Sequence, residues 1–285
     1  MKKFEIEIDG IPLPYYKTGR GRPLFLIIGF HSTIDRFLPL IEYLSDYFTI
    51  YVPEMPGSST PNPLPMEHTV KNYAKLYQSL IQQIKLKDYV LCGFSLGTII
   101  AIRMLQLDSI QPFHLLLFVG IYDADYFKIP KKFSWAIEII KRFDTSNPVI
   151  YGIADFLLHN KKFLDFFFRS VYKKESHLDK VTSHQTALTI NMNSRTWLEL
   201  VKDVFSLHLS QENLQFDIPT TLVNSAIDDI LDSRKTAQGL SRIFPKAKVF
   251  NINLVRHSPK GPIDIKFVSK LITPMLPHLR LLAKR

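Results

Sequence analysis

The residues best placed to do chemistry lie in one run, Val90-Leu91-Cys92-Gly93-Phe94-Ser95-Leu96-Gly97-Thr98. An unbroken apolar stretch is followed by Gly-x-Ser-x-Gly and then by a helical pattern. That order predicts a buried strand, a sharp turn that presents the Ser95 hydroxyl, and a helix start. Gly93 and Gly97 sit where a β-carbon would collide with backbone as the chain reverses. The N–H of Leu96 faces the space before Ser95, at a helix N-terminus where partial positive charge gathers. The chemistry this suits is attack of a hydroxyl on a carbonyl carbon, with a main-chain donor meeting the oxyanion. Spacing alone is weak. At an average glycine usage of about 7%, roughly one unrelated chain in ten of this size shows the pattern by accident, so the surrounding elements must carry the reading.

Those elements alternate. Lys3–Asp9 and Leu13–Lys17 read as short strands joined at Gly10-Ile11-Pro12. Leu24–Ile28 is an apolar run of the kind found in a strand buried on both faces. Asp35–Leu44 has helical spacing, Thr49–Val52 is a strand, and Thr69–Ile84 keeps a helical rhythm through Val70, Tyr73, Ala74, Tyr77, Leu80, Ile81 and Ile84. Asp88–Gly93 is the strand before the turn, Leu96–Leu107 the helix after it, and His114–Val119 the next buried strand. Such alternation specifies α/β architecture, a doubly wound, mostly parallel sheet with ligands at the carboxyl ends of its strands. Ser95, the Gly29 loop and the Pro53–Gly57 loop all fall at that edge.

Between Ile121 and Glu212 the alternation stops. The segment reads as helices over Phe133–Phe143, Val149–Tyr172 with a break near His159-Asn160, and Thr182–Leu209 with a further break. A structureless loop of this length is improbable, so residues 122–212 are expected to form a helical cap on a core of residues 1–121 and 213–285. Phe163-Leu164-Asp165-Phe166-Phe167-Phe168 is unusually aromatic; such rings either pack the cap or line an apolar pocket, as do Met192 and Trp197. Sheet rhythm resumes at Ile218–Asn224. Arg234–Phe244 reads as a helix, Ala247–Ile252 as the last strand with Arg256-His257-Ser258-Pro259 as its exit loop, and Ile263–Leu282 as helix interrupted by Pro274 and Pro277.

Composition is that of a globular chain of 285 residues with net charge +10. The excess is concentrated: residues 233–285 hold 12 basic groups and 1 acidic one, including Arg234, Lys235, Arg242, Lys246, Lys248, Arg280, Lys284 and Arg285. A basic face of this kind either solubilises or attracts anionic membrane, nucleic acid or acidic partners. No nucleic-acid-reading motif accompanies it. There is no apolar run near the ~18 residues of a membrane span, and Phe4–Asp9 alternates as a strand rather than as a secretory leader. The single cysteine, Cys92, cannot form an internal disulfide and reads as a small buried hydrophobe; a reducing cytoplasm is the expected compartment.

Five motifs in order resemble the α/β-hydrolase fold superfamily: Leu26-Ile27-Ile28-Gly29-Phe30, Val52–Ser59, Gly93–Gly97, Ile218-Pro219-Thr220 through Asp228, and His257-Ser258-Pro259. The resemblance covers the whole chain and implies a serine hydrolase with a helical cap. It places the triad in the order Ser, acid, His: Ser95 as nucleophile, Asp228 as the acid and His257 as the base. Asp229 and Asp123 stand as alternative acids. It also implies an oxyanion hole from the N–H groups of Phe30 and Leu96, and no cofactor or metal. Two positions depart from the family. Ile28 stands where a histidine is usual, which weakens or reshapes the oxyanion loop, and Thr98 replaces a common glycine. His31 reads as a surface or pocket residue. His68, His114, His159, His177, His184, His208 and His278 lack partners for a metal site. The implied substrate is a small, largely apolar ester, or a related C–C or amide bond. The alternative is a non-catalytic homologue that binds a ligand or partner, motivated by Ile28. A third reading keeps the triad with an acyl acceptor other than water.

Overall fold

The computed structural model describes residues 1–30, 32–58, 62–107, 111–129, 134–145, 147–171, 178–254, 257 and 263–284. His31, Ser59, His177, Arg285 and the flanks of His257, including Arg256, Ser258 and Pro259, lie outside them. Eight strands form one sheet in the order β1-β2-β4-β3-β5-β6-β7-β8. The strands are β1 (Lys2–Ile8), β2 (Ile11–Gly19), β3 (Arg22–Ile27), β4 (Phe48–Pro53), β5 (Val90–Phe94), β6 (His114–Phe118), β7 (Thr220–Ser225) and β8 (Lys248–Ile252). From β4 to β8 every pairing is parallel, while β1 and β2 add an antiparallel edge.

The central strands are apolar and buried along their whole length because helices cover both faces. One face holds α2 (Val70–Gln83), α3 (Leu96–Leu105) and α9 (Ser233–Ile243), packed through Tyr73, Tyr77, Ile100, Leu240 and Phe244. The other holds α1 (Ile34–Ser45), α10 (Ile265–Ile272) and α11 (Leu276–Ala283), packed through Ile41, Leu44, Val268, Ile272 and Leu279. The basic residues of α9 (Arg234, Lys235 and Arg242) and those of α10 and α11 (Lys266, Lys270 and Arg280) therefore lie on two different faces of the sheet. Several basic residues after position 232 are occupied individually: Lys246 pairs with Asp217 at 2.6 Å, and Arg280 stacks on Tyr47. The last helical run is interrupted at the prolines: α10 stops at Ile272, Pro274 lies in a 3₁₀ turn and Pro277 at the start of α11, where neither needs an N–H.

Among the described residues, five α-helices lie between β6 and β7: α4 (Ser134–Arg142), α5 (Pro148–His159), α6 (Lys161–Val171), α7 (Leu178–Ile190) and α8 (Ser194–Phe205). Asparagines divide them. Asn147 caps α5, Asn160 accepts from Phe163 N at 3.0 Å at the start of α6, and Asn193 caps α8. The helix expected from Thr182 begins four residues earlier at Leu178, and Leu209 lies in a 3₁₀ turn beyond α8. Among the described residues no helix is long and apolar enough to cross a membrane.

Candidate active site

Ser95 stands between β5 and α3 with φ 51° and ψ −113°, a conformation that costs a non-glycine residue on the order of 1–3 kcal/mol. Its surroundings enforce that backbone. A β-carbon at Gly93 would lie 2.5 Å from Gly97 O, and one at Gly97 would overlap the Ile27 carbonyl oxygen. Ser95 N donates to Phe118 O at 3.0 Å, tying the turn to the end of β6. Ser95 O accepts from Thr98 N at 2.9 Å and from Thr98 Oγ1 at 2.6 Å. The same threonine oxygen accepts from Ile121 N at 3.1 Å. Thr98 is fully buried, and where a glycine would only make room it fastens the turn to the segment leaving β6.

Three side chains from separate strand ends meet there. Ser95 Oγ lies 2.6 Å from His257 Nε2, and His257 Nδ1 lies 2.7 Å from Asp228 Oδ2. With Nδ1 donating to the carboxylate, Nε2 is free to accept the serine proton. The second Asp228 oxygen accepts from Ile230 N at 2.8 Å and Leu231 N at 2.9 Å. Burial raises the Asp228 carboxyl, but the His257 hydrogen bond and charge, with the two backbone donors, outweigh it and hold the group below its ordinary value. Asp228 is thus an anion at neutral pH.

The two alternative acids stand elsewhere. Asp229 Oδ1 accepts from the backbone N of His257 at 2.9 Å, so adjacent carboxylates hold one histidine by its ring and by its main chain. Asp123, after β6, accepts from His208 Nδ1 at 3.0 Å, from Asp125 N at 3.1 Å, and from Ser210 N and Oγ. It joins the two segments that lead into and out of the inserted helices, which also form a bridge between Asp123 and His208. Asp123, Asp125 and His208 bring ligand-type atoms within 4.8 Å of one another, a juxtaposition the sequence reading did not foresee. Both oxygens of Asp123 are already used by these donors, so the group closes on itself as a hydrogen-bonded staple.

On the opposite side of Ser95 lies the loop after β3. A β-carbon at Gly29 would sit 3.2 Å from Ser95 Cβ, which shows how closely that loop approaches. Phe30 follows, half-buried against the core, and Leu96 opens α3 directly after Ser95. Ile28 is 2% exposed and packs with Ile34, Leu40 and Ile41 on the opposite face of the sheet. Ile28, where the resemblance implies a histidine, is here part of the apolar core.

Sequence reasoning missed two contacts. Lys128 Nζ donates to Asp228 O at 2.7 Å, and Lys128 N donates to Ile230 O at 2.7 Å. With the Phe127–Leu231 bridge, they splice the segment leading into the inserted helices to the loop that carries Asp228. A second network fixes the loop before α2. His68 Nε2 accepts from Leu64 N at 3.2 Å and lies 3.1 Å from Thr196 Oγ1, while Nδ1 lies 2.7 Å from Tyr73 Oη. Tyr73 Oη donates to Pro56 O at 2.6 Å, and Glu199 accepts from His68 N at 2.6 Å. Asn193 N donates to Gly57 O at 3.0 Å, and Val70 N to Asp203 at 2.7 Å. Burial pushes His68 down to about 4, so it is neutral in this cluster. Loop histidines give no periodic signal by which this role could have been read.

Comparison with known proteins agrees with this architecture. An esterase from Thermogutta terrifontis superposes with a TM-score of 0.73 at 17% identity, covering 100% of both chains. The N-acyl homoserine lactonase AidH superposes with a TM-score of 0.70 at 16% identity, covering 100% of this chain and 98% of that one. The (E)-2-((N-methylformamido)methylene)succinate hydrolase of Acinetobacter baylyi is 28% identical over 86 residues, 30% of this chain and 33% of that protein. The match thus spans about a third of that relative's length. The profile of the alpha/beta hydrolase fold matches residues 22–260, most of the chain and every element from β3 to β8. With a strained serine between β5 and α3 and the sheet order described above, the chain belongs to the alpha/beta hydrolase fold family.

Proposed function

We propose that the protein is a serine hydrolase that cleaves a carboxylic ester, or a related C–C or amide bond, of a small, largely apolar substrate. The observation that carries this reading is the continuous hydrogen-bonded chain from Ser95 Oγ through the His257 ring to Asp228. In this mechanism His257 Nε2 takes the proton as Ser95 Oγ attacks the carbonyl carbon. Asp228 stays ionised and stabilises the imidazolium. The tetrahedral oxyanion is met by the N–H groups of Leu96 and Phe30, each worth roughly 10²–10³ in rate. His257 returns the proton to the leaving group, and water hydrolyses the acyl-enzyme by the same relay. Residues 122–212 act as a cap whose aromatic helices surround the acyl or alcohol group. The ester and lactone chemistry named for the structural neighbours supports this class of substrate.

The test is covalent and kinetic. A fluorophosphonate probe is expected to label Ser95, and short-chain nitrophenyl esters to turn over. Ser95→Ala should abolish labelling and lower kcat by roughly 10⁴–10⁶. Turnover unchanged in that variant refutes the assignment. A ligand bound tightly with no labelling points instead to a non-catalytic homologue.

A further inference from the structure

Helices α5 and α6 carry an outward face that no described part of the chain covers. On α5, Val149, Gly152, Ile153 and Phe156 recur at three- and four-residue spacing and form one stripe; the three larger residues are 68%, 57% and 67% exposed. On the neighbouring α6, Phe166 is 73% exposed and Phe163 is also exposed. Leu158, Leu164 and Phe168 on the same helices are buried and hold them in place. The outward rings are therefore not needed to pack these helices. Large apolar side chains left exposed side by side in this way mark an interaction site.

The charges beside it select the partner. Lys161 and Lys162 are exposed at the corner between the helices, directly before Phe163. The two acids of α5 and α6 are engaged with neighbouring helices. Asp155 accepts from Ser194 Oγ at 2.5 Å and pairs with His159, and Asp165 accepts from Thr186 Oγ1 at 2.7 Å. Arg169 is paired with Asp179 at 2.6 Å. The stripe is thus fringed by two lysines with no acid of its own helices turned to meet them. We propose that the α5–α6 face docks onto an anionic lipid surface, its rings at the acyl boundary and its lysines among the phosphates. A twofold contact between copies through this stripe would instead crowd the lysines of both chains against an apolar seam. Docking places the helices in the plane of the interface and needs no spanning segment. It stands independently of the reaction at Ser95.

Co-sedimentation of the full chain with vesicles tests it. Phosphatidylcholine vesicles with about 30% phosphatidylglycerol should bind the protein at low salt, and pure phosphatidylcholine should bind it far less. Phe156→Ser with Phe166→Ser should weaken partition at least about tenfold. Lys161→Gln and Lys162→Gln should each weaken it roughly fivefold. Lys246→Gln with Lys248→Gln, remote from the stripe, should change it less than about twofold. All these side chains are exposed, so the unfolding midpoints should not move. The proposal is overturned by absence of binding to the anionic vesicles, or by binding that the phenylalanine substitutions leave intact. It is equally overturned if light scattering shows a dimer that those substitutions dissolve while vesicle binding is absent.

Discussion

Replacing Thr98 with valine isolates the bond that fixes the turn at Ser95. Valine keeps the shape and removes one oxygen. Ser95 O retains Thr98 N at 2.9 Å, so it loses only its second donor. Ile121 N, whose side-chain partner is the Thr98 oxygen at 3.1 Å, is left in an apolar interior. An orphaned buried donor costs about 1–3 kcal/mol. For a chain of 285 residues the entropy of unfolding is about 0.6 kcal/mol per kelvin. The melting midpoint should therefore fall by about 2–5 °C. A kinetic effect should accompany this thermal loss, because a slackened turn lets Ser95 relax from its positive φ. About 1 kcal/mol of that relaxation lowers kcat roughly fivefold, with KM nearly unchanged because nothing near the substrate is removed. Thr98→Ser keeps the oxygen and should restore both quantities to near the parent values. Differential scanning calorimetry and ester turnover on the three proteins decide the matter. If valine matches the parent in midpoint and kcat, or serine fails to rescue, the hydroxyl does not fasten the turn.

Asp228→Asn should lower kcat by about 10⁴, since the amide no longer fixes the imidazole tautomer or balances its charge. Asp123→Asn should lower the melting midpoint by loosening the His208–Ser210 staple while leaving Ser95 labelling intact; the reverse pattern would move the acid to the β6 position. Stability should fall as pH drops from 6.5 towards 4. Burial holds both His68 and His114 down to about 4, against an ordinary 6.5. The unfolded chain therefore takes up protons that the folded one refuses. The stabilisation is complete above 6.5 and lost towards 4. Asp228, held below its ordinary carboxylate value, contributes in a lower window. Denaturant midpoints between pH 7.5 and 4.5 should show the slope, and His68→Gln should flatten it.

The sheet was legible because its central strands are apolar along their whole length, and because Gly93 and Gly97 flank a serine at a strand end. The antiparallel pairing of β1 with β2 follows from their short connection at Asp9-Gly10, but how far β2 extends does not: it pairs with β4 as far as Gly19. Asp228 and Asp229 could not be separated by sequence, because neighbouring carboxylates on one loop reach the same histidine by different atoms. Lys128 gave no signal, since a lysine that donates to a backbone carbonyl far along the chain looks like any surface lysine. Similarly, the basic residues after position 232 read as one patch, because a linear sequence does not reveal that α9 and α10 cover opposite faces.

Helix α8 differs from its inserted neighbours in how it is attached. Asn193, Thr196, Glu199 and Asp203, on successive turns, all bond to the segment between Gly57 and Val70. Lifting this helix would break these hydrogen bonds together and uncover the packed His68, so they must be given up at once. The last helix therefore serves as a sill built into the wall. In the proposed hydrolase, where residues 122–212 cap the site, the part free to shift is then α4–α7, and changes in their sequence can reshape which molecules enter without unfastening the scaffold beneath.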